Sequence, residues 1–311
     1  MSISVLRTSD AWWVQTPAGA ARIDTSATTT KELLADRAAV EAARTATDVV
    51  PVESLSLISP VTAPCRVVAQ MTNFVSHVKD SGGDPATVPL TFFRKASGSI
   101  SGPTDDIERP AHVQLLDYEV EIGLVIGREV PVGTTIDADK LAEFVAGLVV
   151  TNDVSARDIQ LPKTQFYEAK SYPTFTPVGP ALVLIDAEEL NRFTELRLRL
   201  WVNGEVRQDM TVADMIYKPA EALQALTRFQ RLDAGDLILT GTPIGTAISA
   251  PPKPVEFLGS LLPTALKWRL FFKGQAKNPK YLQDGDVVEV AVATDDNAID
   301  LGRQRTTVRY K

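Results

Sequence analysis

The residues best suited to chemistry begin in the run Leu115 to Ile126. There Asp117, Glu119 and Glu121 alternate with Leu116, Tyr118, Val120, Ile122 and Leu124. Alternation at period two marks a strand with two unlike faces. Acids on one such face lie roughly 6.5–7 Å apart along the strand. A solvated strand face gives the same pattern. On a face that is not fully wet, the carboxylates raise the free energy unless a cation lies between them. A second apolar run, Phe144 to Val150, ends in Thr151-Asn152-Asp153 and delivers another acid. Glu119, Glu121 and Asp153 together offer an all-oxygen ligand set that suits Mg²⁺ or Mn²⁺. Zn²⁺ normally recruits His or Cys, and the chain holds only two His and one Cys.

His77 and Asp80 are three residues apart in the stretch Met71 to Asp80, and on a helix they share a face. A carboxylate beside an imidazole raises its basicity and orients the ring. A general base that activates water at neutral pH needs both effects. The plain alternative is a surface His on a short helix. Ser81 to Pro85 then reads as a hinge or lid tip, or as an ordinary surface turn. Arg157 and Gln160 follow Asp153 by four and seven residues. On a helix all three share a side. Arg157 can then hold a substrate carboxylate bidentately, with Gln160 donating to a carbonyl. A structural ion pair of Arg157 with Asp158 or a strand acid is the competing reading. His112, just ahead of the acidic strand, reads as structural. The glycines form no phosphate-binding pattern, which disfavours nucleotide chemistry.

The runs LDYEVEIGLVIG, TNDVSARDIQ, AKSYPTFTPVGP, VNGEVRQ, GDLILTGTPIG and DGDVVEV occur in that order. Together they resemble the fumarylacetoacetate hydrolase superfamily over about residues 64–311. The resemblance implies an α+β, strand-rich fold, a mixed β-roll with peripheral helices. It also implies a Mg²⁺- or Mn²⁺-dependent enzyme acting on small anionic 1,3-dicarbonyl or 2-oxo acid substrates. By resemblance, Lys170 lies beside the metal, where a cation stabilises an enolate. Thr242, in Leu239 to Pro243, matches a turn that offers a hydroxyl and backbone N–H groups to substrate. Lys95, in Phe93-Arg94-Lys95, matches a residue near the mouth. Members that hydrolyse C–C bonds carry H-x-x-E where this chain has His77 and Asp80. Members often have Asp where this chain has Pro173.

The expected reaction is therefore metal-dependent hydrolysis of a C–C bond between two carbonyls. Glu119, Glu121 and Asp153 hold the metal in this scheme. His77, Asp80 and Lys170 are the catalytic groups, and Arg157, Gln160 and Thr242 bind substrate. The same site also serves decarboxylation of a β-keto acid such as oxaloacetate, or isomerisation or hydration of a 2-oxo acid.

The elements that must position these groups are mostly strands. Strands are expected at Ser4–Arg7, Ala11–Gln15, Ala20–Ile23, Arg66–Gln70, Tyr118–Ile126, Val145–Asn152 and Ala181–Ile185. Further strands are expected at Glu195–Val202, Glu205–Met210, Leu237–Thr240, Val287–Ala293 and Thr306–Tyr310. Asn203-Gly204 is a hairpin signal. Thr28 to Thr45 reads as one amphipathic helix. Thr211 to Asp214 reads as a capping box opening a helix, with a second helix from Pro219 to about Phe229. The Pro-rich stretch Asp48 to Pro64 reads as a connector between a small N-terminal α+β domain, residues 1–62, and a catalytic domain, residues 63–311.

Composition narrows the class. Lys and Arg number 32 against 39 Asp and Glu, a net charge of −7. That balance argues against nucleic acid or an anionic membrane as partner. The start of the chain lacks the pattern of a signal peptide, and no apolar stretch approaches the ~20 residues of a membrane span. The single Cys65 fits a reducing compartment. These features point to a cytoplasmic enzyme. One segment, Ile248 to Leu282, is basic and apolar. It carries Lys253, Lys267, Arg269, Lys273, Lys277 and Lys280 against Glu256 alone, with Phe257, Leu258, Leu261, Leu262, Trp268, Leu270, Phe271 and Phe272. So many large apolar groups are costly to expose. The segment is expected beside the active-site mouth or across a homodimer interface.

Overall fold

The computed structural model describes residues 2–163, 165–248 and 261–311. The protein is α+β and strand-rich, built on two sheets. The larger has ten strands. In spatial order they are Val49–Val50, Gly19–Arg22, Trp12–Thr16, Ile3–Arg7, Leu182–Leu184, Val145–Asn152, Val120–Ile126, Leu237–Leu239, Val67–Met71 and Thr91–Lys95. All neighbours are antiparallel except Leu237–Leu239 with Val67–Met71. The second sheet has five strands, ordered Glu205–Thr211, Leu196–Val202, Val287–Thr294, Asp300–Tyr310 and Ile107–Arg109. The N-terminal strands join the large sheet through Ile3–Arg7, which pairs with Leu182–Leu184.

The large sheet is covered on both faces. Ile122, Leu124, Leu148, Val150 and Val68 pack in one cluster with Leu198, Leu200, Val290 and Val292 of the second sheet. Val125, Val149, Leu237, Leu239 and Val67 pack in another with Leu33, Leu34 and Val40 of the N-terminal helices. Each fully buried Val, Leu or Ile contributes about 1.5–3 kcal/mol. Burial on both sides explains why every residue of Val120–Ile126 is buried. The acidic face read from the sequence is therefore not a solvated one.

Two expected helices differ from the structure. The Thr28–Thr45 segment is two helices, Thr30–Ala35 and Arg37–Ala43. Thr29 and Glu32 form a capping box on the first. Asp36 breaks the run at φ −101, ψ 50, and its side chain accepts from Thr25 Oγ1 at 2.6 Å. Thr211 opens no α-helix. It ends a strand and leads into a short 3₁₀ turn, Val212–Asp214, with no cap from its own side chain, and the Asp214 carboxylate accepts the Ser76 N–H instead of closing a capping box. The helix after Pro219 is present, as Pro219–Thr227. The strand Thr91–Lys95 was not expected.

The hairpin at Asn203-Gly204 forms as its residues require. Both take positive φ, 52° and 80°, the conformation of a two-residue primed turn. Gly245 is a second position where only glycine fits. Its φ is +109, and a Cβ there would stand 2.0 Å from the Arg207 carbonyl oxygen. We expect Gly245→Ala to cost at least about 1–3 kcal/mol from backbone conformation alone, with the steric displacement added. Urea unfolding measures this, and an unchanged midpoint would show that the turn relaxes freely.

Candidate active site

Strand register gathers the acids. Val120 lies opposite Asn152, so Glu119 and Asp153 face each other just beyond the paired residues. The Asp153 N–H donates to the Glu119 carbonyl at 2.8 Å, and the Glu119 N–H donates to Asn152 Oδ1 at 2.9 Å. Glu121, two residues along, falls on the same face. One oxygen from each of Glu119, Glu121 and Asp153 can be chosen so that all lie within 4.8 Å of one another, and all three side chains are buried.

Three buried cations meet these acids. Lys170 Nζ donates to Glu119 Oε2 at 2.6 Å and to Asp153 Oδ2 at 2.7 Å. Lys95 Nζ bonds the other Asp153 oxygen and donates to the Phe175 carbonyl at 2.9 Å. Arg157 donates through Nε to Asp117 Oδ2 at 2.7 Å, through Nη1 to Gln160 Oε1 at 2.8 Å, and through Nη2 to Glu119. Asp117 is fully buried and also accepts the N–H groups of Tyr118, Ala247 and Ile248. The guanidinium read from the sequence as a substrate clamp is thus engaged by two strand acids and Gln160.

Electrostatics follow from this pairing. Burial alone would raise Glu119, but Arg157 and Lys170 hold it down at about 2. Burial raises Glu121 well above the usual carboxylate range, and Asp153 and Glu119 push it further. Lys170 stays above its ordinary value despite burial, because Asp153 and Glu119 favour the charged form. Lys95 is lowered by burial, against the attraction of Asp153. Glu121 is the carboxylate without a bonded cation among the described residues. Its Oε2 accepts the Gly241 N–H at 2.6 Å. A buried carboxylate in that position, beside two more, fits a hard divalent cation, and the donor set is oxygen throughout.

Glu119, Glu121, Arg157 and Lys170 line a cavity of about 180 Å³ together with His77, Gln160 and Thr242, and Asp153 stands behind them on Lys170. Thr242 Oγ1 accepts from Gln208 Nε2 at 2.9 Å, and Gln208 also accepts the Val120 N–H. His77 lies on the helix Val75–Asp80. Asp214 Oδ2 accepts the Ser76 N–H at 2.9 Å. The residue read as part of a capping box on its own helix therefore caps the helix that carries His77. Burial lowers the imidazole pKa, opposed by the Glu119 charge. Nδ1 is buried without a hydrogen-bond partner among the described residues. Asp80 is exposed, and no hydrogen bond joins it to His77 among the described residues. The structure thus brings together eight of the nine expected site residues and leaves Asp80 outside.

The turn after that helix is hydrogen-bonded: Gly82 N–H donates to Lys79 and Gly83 N–H to Val78. Ser81 lines the cavity. His112 is exposed and bonded to the Tyr172 hydroxyl at 2.8 Å. Sequence reasoning missed the roles of Asp117, Lys95 and Gln208. Asp117 lay in the same alternating run and was open to discovery. Gln208 ends the run VNGEVRQ, but the run could not show its role, since its partners are distant in the chain.

Part of the basic, apolar segment, including Lys253, Glu256, Phe257 and Leu258, lies outside the described residues. Of the described rest, Thr264–Gln275 forms a helix in which no residue is fully buried, while Tyr281 and Leu282 beyond it are buried. Phe272 packs on the main core. Asn278 Nδ2 donates to the Ala247 carbonyl at 2.7 Å, so the segment returns to the turn that lines the cavity. No helix of the described residues is long and apolar enough to cross a membrane.

The sheet architecture and a buried acid cluster that could hold a metal ion are those of an enzyme family. The family described as fumarylacetoacetate (FAA) hydrolase C-terminal matches residues 66–309, and the chain belongs to it. Over 208 residues it is 37% identical to a mitochondrial oxaloacetate tautomerase of Homo sapiens. That stretch is 66% of this chain and 64% of the relative's length. Among solved structures, a probable 2-hydroxyhepta-2,4-diene-1,7-dioate isomerase from Mycobacterium abscessus is similar at TM-score 0.74 and 28% identity, covering 100% of this chain and 99% of that one. A fumarylacetoacetate hydrolase from Exiguobacterium antarcticum is similar at TM-score 0.71 and 26% identity, covering 99% and 100%.

Proposed function

We propose that this protein forms the enolate of a short 2-oxo acid and moves a proton on its carbon, as a keto–enol isomerase does. The observation that carries this reading is the state of His77. The ring lines the cavity, yet the acid expected to orient it for attack on water stands outside. Burial lowers the imidazole pKa and so favours the neutral ring, the form that accepts a proton. A Mg²⁺ or Mn²⁺ ion held by Glu119, Glu121 and Asp153 would supply Lewis-acid polarisation of the substrate oxygens.

The remaining chemistry belongs to the side chains. In ketonisation the enol oxygen gives up its proton and His77 delivers one to the carbon beside the 2-oxo group; in the reverse direction His77 takes that proton and the oxygen is protonated. Lys170 spends two of its three N–H donors on Glu119 and Asp153. The third faces the charge that develops on the oxygen. Arg157 holds Glu119 in place and so keeps the acid cluster in register. The mitochondrial tautomerase and the mycobacterial isomerase are named for reactions of this type.

Hydrolytic C–C cleavage is the second reading, favoured by the same neutral imidazole, which suits water as well as carbon. The two are separated by incubating the protein with oxaloacetate and with 2,4-dioxopentanoate in the presence of Mg²⁺ or Mn²⁺. We expect faster loss of enol absorbance with the carbon skeleton intact by NMR. Appearance of pyruvate and acetate from the dioxo acid would overturn the isomerase reading in favour of hydrolysis.

A further inference from the structure

The cavity has a charged floor and an apolar mouth. Its floor carries the buried groups Glu119, Glu121, Lys170 and Arg157. Its partly exposed lining is mainly apolar, with Met71, Phe93, Leu161, Phe166 and Ile248 on one part and Thr72, His77 and Ser81 on the rest. The order along the wall is specific. Lys170 Nζ stands over the Phe93 ring, 5.4 Å from its centroid. Phe93 meets Phe166 edge-on, with centroids 5.6 Å apart at 70°. A substrate whose reacting oxygens rest near Lys170 therefore lays its far end along Phe93 and then Phe166.

That far end finds no free cation among the described residues. Among the described residues that line the cavity, the cations are Arg157 and Lys170. Each already bonds two carboxylates: Asp117 and Glu119 for Arg157, Glu119 and Asp153 for Lys170. Lys95 is also held by Asp153. A second carboxylate in this pocket would be desolvated without a partner, which is costly. An alkyl or aryl group would instead bury apolar surface and meet two ring edges.

Resting on the 2-oxo acid reading, we propose that Phe93 and Phe166 are specificity-determining residues. They form a tail subsite for an uncharged hydrocarbon group, so the substrate is a 2-oxo acid with a single charged end.

The test compares kcat/KM for enol–keto conversion of three acids with Mg²⁺ present: oxaloacetate, 2,4-dioxopentanoate and 4-phenyl-2,4-dioxobutanoate. The neutral-tailed acids are expected to be preferred over oxaloacetate by roughly 10–100-fold. Phe166→Arg supplies the missing cation and should narrow or reverse that ratio. Phe93→Leu keeps an apolar residue in the strand and should lower the phenyl-tailed acid more than the methyl-tailed one. Preference of the unaltered protein for oxaloacetate overturns this inference alone. So do unchanged substrate ratios in both variants. Turnover of none of the three acids overturns the 2-oxo acid reading, and the tail subsite falls with it.

Discussion

Replacing Glu121 with Gln is expected to abolish Mn²⁺ binding and to lower turnover by about 10³-fold, the scale of several kcal/mol of lost charge stabilisation. Glu121 is 1% exposed, and Asp153 and Glu119 stand beside it. The amide has the same shape as the carboxylate, and its oxygen can still accept the Gly241 N–H. The fold should therefore tolerate the change. In metal-free protein the substitution removes a repelling charge, so thermal stability should hold or rise. That separates a ligand from a structural residue, whose loss would lower stability. Calorimetric titration with Mn²⁺ reads the binding, and EDTA treatment of the unaltered protein should reproduce the loss of turnover. Unchanged Mn²⁺ affinity in Glu121→Gln would sink the metal assignment.

The second large effect concerns His77. His77→Ala is expected to slow proton transfer by about 10²–10⁴-fold while Mn²⁺ affinity stays intact, since the imidazole is not among the grouped ligands. The pH profile carries the sign. Burial lowers the His77 pKa below its ordinary 6.5, and the neutral ring is the active form. Activity should therefore stay flat as pH falls through 6.5 and drop only at more acidic pH. Stability follows the same direction. The unfolded chain takes up the proton first, so stability is lost as pH drops below the unfolded value. An activity limb centred at or above pH 6.5, missing in His77→Ala, would contradict a buried neutral base. Equal activity in the variant would remove His77 from the chemistry.

What the sequence by itself determined was local. The period-two run specified the strand Val120–Ile126, because side chains alternate on a pleated backbone, although the run breaks at Tyr118-Glu119 and Leu116–Asp117 pairs separately with Ser155–Ala156. Val145–Asn152 appears as read, since an uninterrupted apolar run of that length is stable only when buried. Asn203-Gly204 marked its hairpin, because both positions need positive φ. The ordered motifs identified the family and, with it, the residues to inspect.

Only the tertiary structure decided how charge is shared. Whether the acidic face met water or protein depended on the second sheet and the N-terminal helices, whose contacts are far away in sequence. Arg157 was open to two roles until the fold brought it onto Asp117 and Glu119. Asp80 kept its spacing to His77, but the short helix turns it to solvent. Asp214 caps the helix that carries His77 across 138 residues of chain. Such pairings depend on which buried donor reaches which acceptor first, and long-range packing sets that where local spacing cannot.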